Sequence, residues 1–566
     1  MHVPVNSSTI VAKPQRTSNR WWIWLLLLAA VAALAVVTPF AFLGNASGHD
    51  FEFHLASWMD VAHQWRLGIV YPRWAALANW GFGEARFIFY PPASWALGAA
   101  LSFVFPWPMV PGAFIWVALL LAAVCMFALA RQWLAPADAV AAALIFALNP
   151  YHLVIVYWRS DFAELLASAA VPLAVLFAMR MAGEPRRASA GLAVVTAAIW
   201  LSNAPAAVVA TYAIGLILLV VAVQERSAKP LIYGGAGLAL GLALASFYIL
   251  PAAYEQPWVN ISEVLSQGLT FPENFLFTRT ADPEHTRFNF IVSWVAVEVA
   301  MATIAALIAA KGLRQNRRAW WVLLVLAVIS VILMLPITSL LWIYVPKLRY
   351  VQFPWRWLLV LDVPFAIGVA AATSRLRGTW KQVCRAAVLV ALAATGFLLT
   401  RSNWWDAGGV SDFYRQHFQT AAGYFGTDEY GPRGSDHYDL PEHAPKVGIR
   451  DGQGTGARVQ VLQWGPADMG FTLRASAPVT AAPRVLNYPA WRVSVNGESV
   501  RAISDPDTGQ MLIPLGSGIS RVRIQWVSTP DHLWGAGISA IAAVTLLVVL
   551  VIGSRRRNVL PRQPSR

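Results

Sequence analysis

The sequence has little charge and almost no cysteine. Charged residues make up 13% of its 566 residues and hydrophobic residues 57%, with a mean hydropathy of +0.53. Soluble domains carry about a quarter charged residues, so this composition excludes a soluble globular protein. The two cysteines, Cys125 and Cys384, both lie inside apolar runs, which excludes a disulfide framework.

Several common functional motifs are also absent. The sequence contains no P-loop, no His-Glu-x-x-His, no Cys-x-x-Cys and no Gly-x-Ser-x-Gly. This argues against ATP-driven transport and metalloprotease activity. The net charge of +14 does not indicate nucleic-acid binding, because no basic stripe alternates with aromatic residues. The basic residues instead form short tracts between apolar runs.

Long apolar runs dominate what is present. A helix of about 20 apolar residues crosses a hydrocarbon core of about 30 Å. The predicted fold is therefore a polytopic α-helical membrane protein with about 12 or 13 transmembrane helices. The predicted spans are 21–43, 93–106, 112–130, 137–157, 162–182, 188–204, 206–223, 231–250, 289–310, 319–343, 357–374, 383–400 and 533–553.

The basic tracts predict the orientation of these spans, since cytoplasmic loops are enriched in Lys and Arg. An odd number of crossings cannot place both basic ends of the chain in the cytoplasm. We therefore predict that the short run 93–106 is partial or re-entrant, which leaves about 12 crossings and two cytoplasmic termini.

This orientation divides the chain into four parts. They are a cytoplasmic tail at 1–20, a multispan domain at 21–400 with a first outer loop at 44–92, an extracytoplasmic segment at 401–531, and a last helix with a basic cytoplasmic tail at 532–566. From residue 456 the extracytoplasmic segment alternates like short strands, and Asn496-Gly497 is typical of a hairpin turn. We predict a small β-sandwich there.

The stretch "GHDFEFH", 48–54, places two carboxylates and two imidazoles directly after the first span. On a helix Asp50 and His54 share a face, one turn apart, whereas Glu52 points about 200° away from Asp50. Ionisable groups at membrane level are costly unless they are paired, hydrated or bound to an ion. Either these side chains meet lipid headgroups, or Asp50 is an active-site carboxylate.

The stretch 71–92, "YPRWAALANWGFGEARFIFYPP", packs aromatic residues and turns around a few charges. Such a loop suits a sugar or lipid-phosphate surface, and an interfacial aromatic belt explains the composition equally well. Its candidate binding residues are Arg73, Glu84, Arg86 and Tyr90.

These two stretches resemble the first outer loop of bacterial membrane proteins named as 6-pyruvoyl-tetrahydropterin synthase-related. Those proteins are similar to the GT-C glycosyltransferases, multispan enzymes that use polyprenyl-phosphate-linked sugars. "YWRSDFAE", 157–164, resembles their Tyr-x-Arg-Gly-x-x-x-Glu stretch, with Ser160 in place of Gly. "QFPWRW", 352–357, and "NYPAWRVSVNGE", 487–498, are further similarities.

The resemblance implies that Asp50 is the catalytic base or a metal ligand that activates the acceptor hydroxyl. His54 either binds a metal ion with Asp50 or orients that carboxylate. The metal would be Mg²⁺ or Mn²⁺, but no Asp-x-Asp pair is present. Further expected binding residues are Arg159, Glu164, Gln352 and Arg356, with the arginines on the lipid phosphate or only anchored in headgroups. Segment 418–434 is a candidate lid.

The predicted function is thus a membrane glycosyltransferase of the bacterial inner membrane. Its donor would be a polyprenyl-phosphate-linked sugar at the outer face, and its acceptor an envelope lipid, glycan or protein. The alternative is a non-enzymatic membrane protein, either a transporter or flippase of envelope lipids or a degenerate scaffold. Because the ionisable residues gather at one face rather than at mid-membrane, the sequence favours the enzyme.

Overall fold

Fifteen helices of nine or more residues form the body of the computed structural model, which describes residues 19–46, 48–450 and 456–559. In chain order, α1 to α15 are Asn19–Leu43, Phe51–Arg66, Pro92–Leu101, Val110–Ala130, Pro136–Ala147, Phe162–Arg180, Pro185–Ser202, Ala204–Glu225, Lys229–Leu244, Ser246–Tyr254, Pro283–Ala309, Arg317–Leu333, Leu358–Ser374, Thr379–Ser402 and Pro530–Val559.

Nine of the predicted spans are confirmed as helices long and apolar enough to cross a membrane, within the described part of the chain. Two more are broken: α9 and α10 meet at 74°, and α12 meets Pro336–Tyr344 at 91°. The run 93–106, predicted to be partial or re-entrant, contains only the ten-residue helix α3. The prediction of a span at 188–204 was wrong. Helix α3 ends at Leu101, and α7 begins with Pro185-Arg186-Arg187, which lowers its hydropathy. The spans number nine to eleven rather than twelve.

The predicted β-sandwich is present near the C-terminus. Strands β1 to β9 are Val447–Arg450, Arg458–Trp464, Asp468–Ala475, Val479–Pro483, Trp491–Val495, Glu498–Val500, Ile503–Ser504, Met511–Leu515 and Gly518–Trp526. They form two antiparallel sheets, ordered β1-β4-β8-β7 and β2-β3-β9-β5-β6. The Asn496-Gly497 turn joins β5 to β6, and both of its residues have the positive φ that such a turn requires.

The β-sandwich packs against the first outer loop. Trp74, Phe82 and Phe89 belong to the same buried cluster as Phe471 and Ile513 of the sheets. A two-residue strand pair, Asn45–Ala46 with Trp405–Asp406, ties the exit of α1 to the exit of α14. Because of these contacts, the first outer loop and segment 401–531 lie on the same side of the helices.

Candidate functional site

A cavity of 1360 Å³ opens on the side of the helices that carries the β-sandwich. Its wall combines loops that are remote in sequence. The residues that line it include Asp50, Tyr90, Arg159, Gln352 and Arg356, all of them predicted from the sequence, together with Asp161, Lys347, Arg349, Glu429 and Arg433. The carboxylates and cations of this wall define the candidate site.

A buried charge cluster forms the floor of the cavity. The Arg159 guanidinium lies 3.1 Å from Asp161 Oδ2 and 3.3 Å from Glu164 Oε2. The Arg356 guanidinium lies 3.2 Å and 2.8 Å from the same two oxygens. Both arginines also stack on the ring of Phe353. Each carboxylate therefore has two cationic partners, which offsets the cost of burying it.

Asp50 differs from the other carboxylates of the cluster because it faces the cavity. Its Oδ2 accepts a hydrogen bond from Arg159 Nη2 at 3.1 Å, and its side chain is 38% exposed. Asp161 and Glu164 are 4% and 0% exposed. Asp50 also precedes helix α2 directly, and its backbone N–H donates to the Arg159 carbonyl. Among the carboxylates of the cluster, Asp50 thus has the most accessible oxygens.

His54 lies behind Asp50 and contacts a different carboxylate from the one predicted. Its Nε2 is 3.7 Å from Asp161 Oδ1, and its Nδ1 is 3.4 Å from the Ser94 hydroxyl. Burial alone would raise the pKa of Asp161, but His54 and the two arginines hold that pKa well below its ordinary value. The ring is buried, so the geometry assigns it to Asp161 rather than to Asp50.

The backbone around Arg159 explains how one short stretch supplies so many of these groups. Residues Ile155–Arg159 form a π-helical segment, a feature frequent at functional sites. Ser160 follows with φ of +52°, the left-handed conformation that glycine adopts most easily. The chain then turns so that Asp161 caps α6 by accepting from the Glu164 N–H at 2.9 Å. This turn brings Arg159 and Glu164 together.

The stretch around Arg356 is strained. Gln352 has φ of +66° and ψ of −50°, and the Phe353 N–H donates to the Val351 carbonyl at 2.7 Å across it. This is a γ-turn of the rare, strained kind. The Gln352 amide donates to the Val264 carbonyl and accepts from Arg356 Nη1. Gln352 therefore positions Arg356 in addition to lining the cavity.

Besides His54 and Glu164, which are buried behind the cavity wall, four more predicted binding residues do not line it. Glu52 is exposed on the far side of α2, and Arg73 stacks on Tyr71 near the β-sandwich. Glu84 and Arg86 are buried against each other at 2.6 Å. Glu84 also accepts from the Thr427 N–H at 2.8 Å. The contact between Glu84 and Thr427 therefore anchors segment 418–434 to the first outer loop.

That anchored segment contributes Glu429, Tyr430 and Arg433 to the cavity wall. Burial raises the pKa of Glu429 to about 7, and Glu84 adds to this effect while Arg86 opposes it. Burial also lowers the pKa of His49, which lies beside Asp50. Glu429 is thus able to hold or release a proton near neutral pH, whereas burial favours the neutral form of His49.

Sequence reasoning missed the central position of Asp161 and the cations Lys347 and Arg349. Asp161 could have been found from its place as a capping residue directly before an apolar helix. Lys347 and Arg349 immediately precede the "QFPWRW" motif. Their exposed side chains both contact Tyr350, which places two cations at the cavity without an ion-pair partner among the described residues.

Comparison with solved structures gives partial similarity to three proteins. The mycobacterial arabinofuranosyltransferase AftD is 20% identical with a TM-score of 0.42, and the alignment covers 68% of this chain and 27% of that one. For the oligosaccharyltransferase AglB of Archaeoglobus fulgidus these values are 12%, 0.41, 68% and 56%. For ArnT of Cupriavidus metallidurans, bound to undecaprenyl phosphate, they are 12%, 0.30, 64% and 81%.

This chain thus spans about a quarter of the first protein and just over half of the second. No curated protein matches the sequence. A family profile, the 6-pyruvoyl-tetrahydropterin synthase related domain of membrane proteins, matches residues 87–404, more than half of the chain. The matched region includes Arg159, Asp161 and Arg356 of the charge cluster. The chain belongs to the 6-pyruvoyl-tetrahydropterin synthase-related family of membrane proteins.

Proposed function

We propose that this protein is a membrane glycosyltransferase that takes its sugar from a polyprenyl-phosphate-linked donor. The observation that carries the proposal is the position of Asp50. It is the accessible carboxylate of an otherwise buried charge cluster, and it opens into a cavity whose wall also carries five cationic side chains. A base and an anion-binding surface therefore share one compartment.

The reaction needs a base beside the attacking hydroxyl. Asp50 accepts the proton of an acceptor hydroxyl while that oxygen bonds to the anomeric carbon of the sugar. The bond from that carbon to the phosphate oxygen breaks, and the phosphate departs with the electron pair. Arg159 orients Asp50 through a contact of 3.1 Å, and a base fixed in this way needs no reorganisation when the reaction occurs.

The exposed cations suit the departing phosphate or diphosphate. Lys347, Arg349 and Arg433 line the cavity, and no described carboxylate forms an ion pair with any of them. Arginine offers a planar fork of donors that matches phosphate geometry. Arg159 and Arg356, at the cavity floor, already form ion pairs with carboxylates. We therefore assign phosphate binding to Lys347, Arg349 and Arg433. Gln352 and the rings of Phe353 and Trp355 face the sugar.

The predicted Mg²⁺ or Mn²⁺ remains part of this proposal, with Asp50 but not His54 as a ligand. Such hard cations prefer oxygen ligands and keep several waters, and the exposed carboxylate of Asp50 fits that preference. The ring of His54 does not, because it contacts Asp161 and Ser94 inside the protein. A bound cation would neutralise charge on the departing phosphate. Activity before and after chelation tests this requirement.

The basic tracts between the helices indicate which side of the membrane the cavity faces. We place both termini in the cytoplasm and the β-sandwich outside the inner membrane, since cytoplasmic loops are rich in Lys and Arg. This arrangement requires an even number of crossings, which is ten within the range of nine to eleven. The donor then reaches the cavity from the outer leaflet. The acceptor is an envelope lipid, glycan or protein, and no nucleic acid takes part. Accessibility of single cysteines placed in the β-sandwich and in the loop 311–318 tests this orientation.

A transporter of envelope lipids is the second candidate. Asp362 lies inside α13, is fully buried, and neither of its oxygens has a hydrogen-bond partner in the described structure. Intramembrane carboxylates of this kind often mark transport pathways. Replacing Asp50 separates the two candidates, because a flippase needs no base at that position.

The deciding experiment compares Asp50→Asn with Glu52→Gln in a strain that lacks the chromosomal copy. Both variants remove one carboxylate from the same loop, but only Asp50 lies in the cavity. At matched membrane levels, mass spectrometry of envelope glycans and polyprenyl-phosphate sugars should show that E52Q restores the wild-type pattern. We expect D50N to lose at least about 100-fold activity and to accumulate the donor. Full restoration by D50N would favour the transporter.

A further inference from the structure

A second cluster of ionisable side chains lies away from the charge cluster, where three parts of the chain meet. Glu255 follows α10, Asp531 and His532 begin α15, and Tyr488 belongs to the β-sandwich. His532 Nε2 lies 2.8 Å from Glu255 Oε1 and 3.6 Å from Asp531 Oδ2. One ligand atom from each of these three residues lies within 4.8 Å of the other two.

The polar side-chain atoms of Asp531 and His532 in this second cluster are buried without hydrogen-bond partners. Both carboxylate oxygens of Asp531 and both ring nitrogens of His532 lack a partner in the described structure. These side chains are 3% and 2% exposed, and that of Glu255 is 0% exposed. Burying such atoms without a partner destabilises a protein, and the cost is greater when the group is charged. Within the described protein, only the contacts of His532 Nε2 with Glu255 and Asp531 offset this burial, and Asp531 Oδ1 and His532 Nδ1 have no partner.

Neighbouring groups orient one of the ligands. The Tyr488 hydroxyl donates to Glu255 Oε2, which leaves Oε1 for the centre of the cluster. The Thr529 hydroxyl approaches that Oε1 at 3.4 Å. Metal-binding carboxylates are commonly held by hydrogen bonds of this kind. The three ligand atoms are therefore one imidazole nitrogen and two carboxylate oxygens.

We propose that Glu255, Asp531 and His532 bind a divalent transition-metal ion, Zn²⁺ in the first place and Mn²⁺ in the second. A nitrogen and two oxygens suit either ion, and a fourth position is left for water. The ion takes one orphaned nitrogen of His532 and one orphaned oxygen of Asp531 as ligands, and its two positive charges neutralise both carboxylates. Because the ligands join α10 and α15 where Tyr488 attaches the β-sandwich, the ion holds that domain against the helices. The site is independent of the proposed glycosyl transfer.

An ion-pair network without metal is the competing explanation. Arg73 is close enough to Glu255 and Asp531 for their charges to affect its pKa, which burial lowers overall. However, neither carboxylate lies within ion-pair distance of Arg73 in the described structure. A protonated His532 would pair with Glu255, and the N-terminus of α15 would stabilise Asp531. These two explanations differ in what they predict for metal content.

The test uses the full-length protein purified in detergent, stripped with a chelator and reloaded with Zn²⁺ or Mn²⁺. Metal retained after gel filtration is measured by mass spectrometry. We expect one ion per wild-type chain, and affinities at least about tenfold weaker for Asp531→Asn and His532→Gln. Glu263→Gln, an exposed control, and Asp50→Asn should bind like wild type. Retention by D50N separates this site from a cation in the cavity.

Three results would overturn the proposal. In the first, the wild-type protein retains neither Zn²⁺ nor Mn²⁺. In the second, D531N and H532Q both retain the metal as well as wild type does, and in the third, an X-ray absorption spectrum shows sulfur ligands on the metal of the wild-type protein. The absorption measurement needs no variant, so it decides the matter if D531N and H532Q fold poorly. Arg73→Gln provides a further control. If a metal ion is bound, removing this repelling cation should leave the metal affinity equal or raise it. An ion-pair network without metal predicts only a lower melting temperature for this variant.

Discussion

Removing Arg356 should destabilise the protein through the charge cluster at the cavity floor. Arg356→Gln deletes a 2.8 Å contact with Glu164, a 3.2 Å contact with Asp161 and a 2.7 Å hydrogen bond to the Val351 carbonyl. Arg159 then faces the three carboxylates alone, and two of those are buried. Loss of one partner from a buried ion pair costs about 3–5 kcal/mol, and we expect R356Q within this range.

A second substitution tests whether charge balance is the reason. By formal charge, the two arginines and three carboxylates give the cluster one net negative charge, and R356Q leaves two. Glu164→Gln added to R356Q restores the original balance. The double variant should therefore be more stable than the sum of the single effects predicts, by about 1–3 kcal/mol of coupling energy.

The assay is thermal unfolding in detergent, followed by intrinsic fluorescence, for which the 27 tryptophans provide signal. Arg349→Gln is the matched control. It removes an exposed arginine from the same loop that makes no ion pair in the described structure, so it should change stability by less than about 0.5 kcal/mol. Strict additivity of R356Q and E164Q, or equal losses in R356Q and R349Q, would refute the reasoning.

Two further predictions concern protonation and close packing. Because the pKa of Glu429 is raised from 4.5 to about 7, its protonated form stabilises the fold below about pH 4.5, and this contribution is lost as the pH rises through 7. Glu429→Gln should flatten that loss, by about 1–3 kcal/mol between pH 5 and 8; identical melting profiles would contradict this. Gly98→Ala should cost about 1–3 kcal/mol, because its added Cβ would lie 2.2 Å from the Trp58 ring, whereas Gly215→Ala, with no atom within 4 Å, should cost nothing. The same unfolding assay measures both, and an equal loss in the two alanine variants would contradict the steric argument.

Sequence composition was sufficient to predict the helical body and the sandwich. Apolar length directly reflects the thickness of the hydrocarbon core, so most spans were located to within a few residues. The errors have local causes. Helix α7 starts three residues before the predicted apolar run and takes in Arg186 and Arg187. The sharp bends after α9 and α12 depend on packing against other helices, which a hydropathy pattern does not contain.

The site could be predicted only in part, because motifs identify residues but not their partners. Asp50, Arg159, Gln352 and Arg356 were named from sequence and line one cavity. The partnership of His54 with Asp161 was missed, since it joins residues 107 positions apart. Local helical spacing had suggested Asp50 instead. The Glu255 cluster joins residues still further apart in the chain and has no sequence motif.

Asp50 and Asp161 show how one arginine can support two different uses of a carboxylate. Both accept from Arg159 Nη2 at 3.1 Å, so the contact itself does not distinguish them. Asp161 has further contacts with Arg356, with His54 and with the N–H of Glu164. These contacts occupy its oxygens and fix the turn that follows the π-helical segment. Asp50 has one cationic partner and a free face towards the cavity, and a carboxylate needs such a face to take a proton from a substrate. The buried carboxylates therefore hold Arg159 in place, and Arg159 in turn presents Asp50.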